Sequence, residues 1–118
     1  MRGRILNALD RLREMLDEAK IPYESYQKEW SYKWEYDYDK REGAKWERNQ
    51  IIYGRYDGRS WWKLDAIFQY GSWGREENCV ETYGDLGVDE DGNPRVMSAE
   101  EVFAIILQDW DKKNEVEE

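Results

Sequence analysis

Apolar residues recur at three- and four-residue steps in "RILNALDRLREMLDEAK". Ile5, Leu9, Leu12, Leu16 and Ala19 share one stripe, and Arg11, Arg13, Glu14 and Asp17 fall on other faces. That spacing predicts an amphipathic helix over residues 4–20. Pro22 has no amide hydrogen and pushes Ile21 away from helical dihedrals, so the helix stops near Lys20. The period then changes to two. In "WSYKWEYDY" a ring stands at every second position, Trp30, Tyr32, Trp34, Tyr36 and Tyr38, with Ser31, Lys33, Glu35 and Asp37 between them. This is the strand period, and "YESYQKEWSYKWEYDY" reads as one long strand or two shorter ones, with a break available between Gln27 and Glu29.

"DKREGAK" is polar and carries a glycine, which predicts a connection over residues 39–45, and "NQIIYGRY" follows as a short β-branched strand. Asp57-Gly58 is a strong turn pair, because a type I′ hairpin needs positive φ at both central residues. "WWKLDAIFQY" alternates again, with Trp62, Leu64, Ala66, Phe68 and Tyr70 on the predicted core face and Trp61, Lys63, Asp65, Ile67 and Gln69 on the other. "GSWG" at 71–74 predicts a turn, "NCVETY" a fourth strand, and "GDLGVDEDGNPR" a loop. Ser98 and Glu101 have capping-box spacing, and Val102, Phe103, Ile106 and Trp110 continue at helical steps, which predicts a helix over 98–111. The pattern as a whole predicts an α+β fold of two layers: an N-terminal helix, about four antiparallel strands and a C-terminal helix. One domain over residues 1–113 is expected, with 114–118 a charged tail free to fray.

Composition and charge sharpen this picture. The chain has 118 residues and a net charge of −9, unevenly spread: residues 76–118 hold three Lys+Arg against 14 Asp+Glu, a net of −11. Such a field disfavours direct nucleic-acid binding through the acidic third and favours a partner with a basic surface, unless it serves only as a solvated face. Asp85, Asp89, Glu90 and Asp91 form its most concentrated stretch. No apolar run is long enough to span a membrane and no export signal opens the sequence, so a cytoplasmic protein is expected.

The chemistry on offer is thin. Histidine is absent and Cys79 is the single cysteine, which removes the commonest metal ligand and general base and leaves the thiol without an activating partner. Cys79 reads as a buried structural thiol. "DEDGN" fails as a calcium loop: with Gly92 at the loop glycine, Gly87 falls at the first ligand position and Ser98 at the twelfth, where a glutamate is required. No phosphate-binding glycine signature is present, and nothing marks a catalytic pair of carboxylates. The expectation is a non-catalytic protein with no metal and no cofactor.

Seven Trp and nine Tyr stand against two Phe. Rings with polar tips tolerate half-burial, which suits interfaces better than a dry core. The row Trp30, Tyr32, Trp34, Tyr36 and Tyr38 is therefore either a face packed beneath the helices or an exposed platform for a partner.

The segment "KLDAIFQYGSWGREENCVETYGDLGVDEDGNPRVMSAEEVFAIILQDW", with "NQIIYG" before it, has four marks. They are an Asp-Ala strand ending in Gly-Ser-aromatic-Gly, a Glu-x-x-Gly step at Glu81 and Gly84, an acidic loop, and a Ser-Ala-Glu-Glu-Val-Phe helix start at 98–103. In these it resembles small accessory proteins of phages and prophages of Gram-positive bacteria. The resemblance covers roughly the second half and brings no active site. It implies action inside a bacterial host, where an acidic protein without catalytic groups can inhibit a defence protein, such as a CRISPR-type nucleic-acid-binding effector, by occupying its basic surface. The competing expectation is a module that stacks a nucleotide or sugar on the aromatic row.

Overall fold

The structure, a computed structural model, describes residues 6–37, 42–55, 62–69 and 71–116; for 29–37, 42–47 and 115–116 it describes the backbone alone. Ile5, Tyr38, the Asp57-Gly58 pair, Trp61 and Tyr70 thus lie outside the described residues. The elements in chain order are α1 (Ala8–Glu18), β1 (Glu24–Asp37), β2 (Glu42–Tyr53), β3 (Leu64–Ile67), a short 3₁₀ turn (Arg75–Glu77), β4 (Val80–Tyr83), β5 (Arg95–Met97) and α2 (Ala99–Val116). The strands form one antiparallel sheet in sequential order, β1-β2-β3-β4-β5. This is the α+β arrangement that the change of hydrophobic period predicts, with a fifth strand added.

Both helices lie on one face of that sheet. Leu9, Leu12 and Leu16 of α1 and Val102 and Ile106 of α2 form a buried cluster with Ile51 and Tyr53 of β2, Leu64 and Ala66 of β3, Val80 of β4 and Met97 of β5. Phe103 and Trp110 pack at its margin. Ala19, placed on the apolar stripe by spacing, is instead the exposed C-cap of α1.

Three hydrogen-bonded anchors hold α1 in place. Asn7 caps it by accepting from the Asp10 amide at 2.8 Å, and Asn78, held at φ 55° in the loop before β4, accepts from the Ala8 amide at 2.7 Å. These satisfy two of the amides that a helix start leaves without partners. From the side of the helix, Arg13 donates to Ser25 Oγ at 2.9 Å, to Asn49 Oδ1 at 2.8 Å and to Asp10 Oδ1 at 3.0 Å, and so ties α1 to β1 and β2.

Four expectations need correction. Residues 42–45 are not a connection: β2 begins at Glu42, because β1 provides a ladder partner for each of these polar residues, Ser31 opposite Lys45 and Tyr32 opposite Ala44 among them. Between Tyr32 and Tyr36 four residue steps on β1 are matched by one on β2, Ala44 to Gly43, so a register shift interrupts the aromatic row. Trp62 does not join the core face. It precedes β3, outside the alternation, and its indole turns to Asp65. The helix α2 runs to Val116, past the predicted end at residue 111, since the segment holds no glycine or proline to stop a helix. The strand β5 begins at Arg95, the last residue of the predicted loop, and three residues are too few to show alternation.

At the start of α2 the Glu101 amide donates to Ser98 Oγ at 3.2 Å, as the capping spacing requires, while the serine hydroxyl, rather than the backbone amide, meets the Glu101 carboxylate. Farther along the helix, Asp109 accepts from Tyr53 Oη at 2.7 Å and Lys63 Nζ at 3.0 Å, which joins α2 to β2 and to the approach to β3. Burial works to raise the pKa of Asp109, but the Tyr53 and Lys63 hydrogen bonds and the lysine charge outweigh it and the value falls below the ordinary one.

Two measurements test this packing. Leu12→Ala should cost about 2–5 kcal/mol in denaturant unfolding, the range for a buried leucine whose cavity cannot collapse. A carboxylate with a lowered native pKa gives stability that is present above its unfolded value and lost as pH falls through the native one. Acidification below about pH 4 should therefore destabilise the protein, and Asp109→Asn should remove part of that acid dependence in pH-resolved melts.

Candidate functional site

Among the described residues, the second face of the sheet carries no helix. Antiparallel register sets its rows: Glu24, Ile52, Asp65 and Tyr83 lie in line across β1 to β4, and Tyr26, Gln50, Ile67, Glu81 and Val96 form the next row across β1 to β5. Ile52 is buried yet lies outside the cluster beneath the helices, as expected for this face.

Two carboxylates are sunk into it, Asp65 at 3% exposure and Glu81 at 5%. Such side chains are rarely buried without partners, and here each oxygen has one neutral donor. Asp65 Oδ1 accepts from Trp62 Nε1 and Oδ2 from Gln50 Nε2, both at 2.9 Å. Glu81 Oε2 accepts from Tyr83 Oη at 2.8 Å, and Oε1 lies 3.4 Å from the Trp73 amide. Two arginines described on this side are engaged elsewhere. Arg48 donates to Gln50 Oε1 at 2.9 Å and lies over the Tyr26 ring at 4.0 Å, while Arg55 Nε stands 2.8 Å from Glu24 Oε2 and its guanidinium lies over Trp62 at 5.0 Å. Among the described residues, neither Asp65 nor Glu81 has an ion-pair partner.

The phenols record the local field. Tyr83 is raised above its ordinary value, first by donating to Glu81, then by burial and by the negative charge of Glu81 and Asp65. Tyr26 is raised chiefly by donating to Glu24. On the helix side of the molecule, Tyr23 is pushed up to about 12 by burial and by its bond to Asp17.

At the β5 edge the face is apolar and open. Trp73, Tyr83 and Val96 are the exposed large hydrophobic residues among those described, at 74%, 39% and 45%. The turn bearing Trp73 lies directly on Val96: a Cβ on Gly74, where φ is 84°, would run into Val96 Cγ1, so only glycine permits the approach. Tyr83 and Val96 flank Glu81 along and across the strands, and Trp73 reaches it through its amide.

The acidic loop lies beside this edge. Asp85, Asp89, Glu90 and Asp91 are all exposed, on the excursion between β4 and β5 that the Val88–Pro94 bridge closes. Asp89 Oδ1 accepts from the Asp91 and Asn93 amides, both at 2.9 Å, which with the Asn93 bond leading lowers its pKa. "DEDGN" is thus a self-capped turn, and no group of three or more Cys, Asp or Glu placed to hold a metal ion occurs among the described residues. Trp30, Tyr32, Trp34 and Tyr36 lie on the backbone of β1, at the opposite edge of the sheet, four inter-strand spacings or about 19 Å from β5. The two sets of residues that the sequence nominates are therefore not brought together. Beyond Gln50, where β3 stops pairing with β2, β1 and β2 continue as a two-stranded ribbon bearing those aromatic positions.

Cys79 is half-buried rather than buried, with Sγ 3.7 Å from the Glu77 carbonyl, because it lies in the loop ahead of β4 and not on the strand. Sequence reasoning missed Asp65, Glu81, Trp73, Tyr83 and Val96 as a group. The one available signal was the placing of Asp65 and Ile67 on the face opposite the core. No helix among the described residues is long and apolar enough to cross a membrane. Comparison with protein-family models, curated proteins and solved structures finds no match.

The Glu81–Tyr83 pair makes a direct prediction. A phenol whose native pKa is raised adds stability that is fully present below its unfolded value and lost as pH rises through the native one. Glu81→Gln should return the Tyr83 titration toward the ordinary phenol value in ¹³C-tyrosine NMR, with Tyr83→Phe identifying the resonance.

Proposed function

We propose that the protein works by binding rather than by catalysis, docking through its acidic surface on a basic surface of a partner protein. Within that reading it is a phage accessory protein that inhibits a nucleic-acid-binding defence protein inside a bacterial host cell. The observation that supports the reading most is the exposure of the acidic residues around the β4–β5 edge. Glu76, Glu77, Asp85, Asp89, Glu90, Asp91, Glu100 and Glu101 are all exposed, and Arg75 and Arg95 are the exposed bases between residues 75 and 101. Among the described residues Glu100 stands 3.5 Å from Arg11, and Asp89 lies within the field of Arg95. A predominantly negative rim attracts a basic patch over a Debye length and repels nucleic acid, which makes it a competitor for nucleic-acid channels.

A nucleotide- or sugar-stacking role is the second reading. It draws on the projecting β1–β2 ribbon and its aromatic positions, Trp30, Tyr32, Trp34 and Tyr36. It requires a small ligand in place of a protein partner.

Affinity capture from bacterial lysate followed by identification of the bound species separates the two. A protein rich in surface Lys and Arg supports the inhibitor, and recovery of a nucleotide or sugar polymer without protein supports the stacking module. With the captured protein in hand, association should slow steeply between about 50 and 200 mM salt as screening shortens the reach of the field. Asp89→Asn with Glu90→Gln and Asp91→Asn should reproduce that slowing at low salt while the melting temperature holds. Association that ignores both salt and these substitutions rejects the acidic-surface reading.

A further inference from the structure

The carboxylates on the helix-free face have bonding capacity that the described residues do not use. A carboxylate offers about four lone-pair sites, and Glu81 takes two donors, one on each oxygen. Both donors are neutral, and both come from the residues that make the adjoining surface apolar, Trp73 and Tyr83. A buried carboxylate held by neutral donors, with no cation among the described residues, is in an environment where a desolvated positive group gains most. The two exposed rings and the Val96 side chain are the flat, apolar surroundings that a guanidinium tolerates better than an ammonium does, because it is weakly hydrated and stacks on aromatic faces.

We propose that this spot is the anchor of the docking surface, taking an arginine side chain of the partner with its guanidinium on Glu81 and against Trp73 and Tyr83, and its methylenes on Val96. The proposal rests on the reading of a basic protein partner and names the group recognised. Charge complementarity selects the occupant. Among the described residues no cation pairs with Glu81, while Arg48, Arg55 and Lys63 stand on Gln50, Glu24 and Asp109, which leaves Glu81 free to take a cation from another molecule. The acidic loop and the anchor then have separate duties. Asp85, Asp89, Glu90 and Asp91, exposed at the rim, draw the partner in, and the buried Glu81 holds one of its residues. Rim charges set association rates, and desolvated charge pairs set dissociation rates.

The test uses a blocked peptide, Ac-Gly-Arg-Gly-NH2, and its citrulline counterpart, titrated into the full chain and followed by amide and indole NMR. The arginine peptide is expected to shift the Trp73 indole and the Glu81, Tyr83 and Val96 amides in a saturable way, with the citrulline peptide at least tenfold weaker. Glu81→Gln should weaken the arginine peptide about tenfold, the equivalent of one charge-assisted hydrogen bond. Trp73→Ala, at a side chain exposed enough to be removed without loss of fold, should weaken it as well. Equal binding of the citrulline peptide, no shift on this face, or indifference to both substitutions overturns the anchor. Shifts confined to residues 85–91 and abolished by neutralising Asp89, Glu90 and Asp91 overturn it too, while leaving the acidic-surface reading in place. Shifts on the face that survive those three substitutions and vanish with Glu81→Gln establish the anchor independently of the rim.

Discussion

Leu9, Leu12 and Leu16 of α1 and Val102 and Ile106 of α2 share one apolar layer over β2, β3, β4 and β5, and that layer uses both helices. Two helices of about 10 Å each cover a five-stranded sheet, about 19 Å across at 4.8 Å spacing, on one side only. The other side has to satisfy itself with its own side chains. Hence the bonds that link Glu24, Tyr26, Gln50, Trp62, Tyr83 and the arginines, and hence the two buried carboxylates, with no helix above them among the described residues. The polarity of that face follows from the shortage of helices.

Much of the fold is legible in the sequence because each element announces its period. The leucines of α1, the Ser98–Glu101 spacing ahead of α2, and the Leu64, Ala66 and Phe68 alternation all survive into the structure. What fails is local composition set against partnering. Glu42 to Lys45 look like a loop, yet a strand is defined by its neighbour, and β1 is there to pair with them. Arg95 to Met97 look like nothing at all, yet β4 recruits them.

The candidate site was harder to read for a related reason. Asp65 and Glu81 lie on different strands, and only the pairing of Ile67 with Glu81 and of Asp65 with Tyr83 puts them on one face. Trp73 reaches that face through a turn whose glycine tolerates contact with Val96. Composition gave an excess of Trp and Tyr, but it could not say which rings would stand beside a carboxylate. The acidic loop was legible as a charge run, since a charge run needs no partner to be what it is.

The strands follow one another across the sheet in sequence order, so each ladder joins chain neighbours, whereas α1 meets α2 from the far end of the described chain. No ladder includes α1. Its attachments include the Asn78 cap, the Arg13 bonds, the Arg11–Glu100 ion pair and three leucines, and none of them is a bond between strands. The apolar layer that α1 joins, with Ile51, Tyr53 and Leu64 from the sheet and Val102 and Ile106 from α2, has the chemistry of a receptor for an amphipathic helix. In normal packing α1 is the ligand of that receptor, supplied by the same chain and retained by being tethered to it.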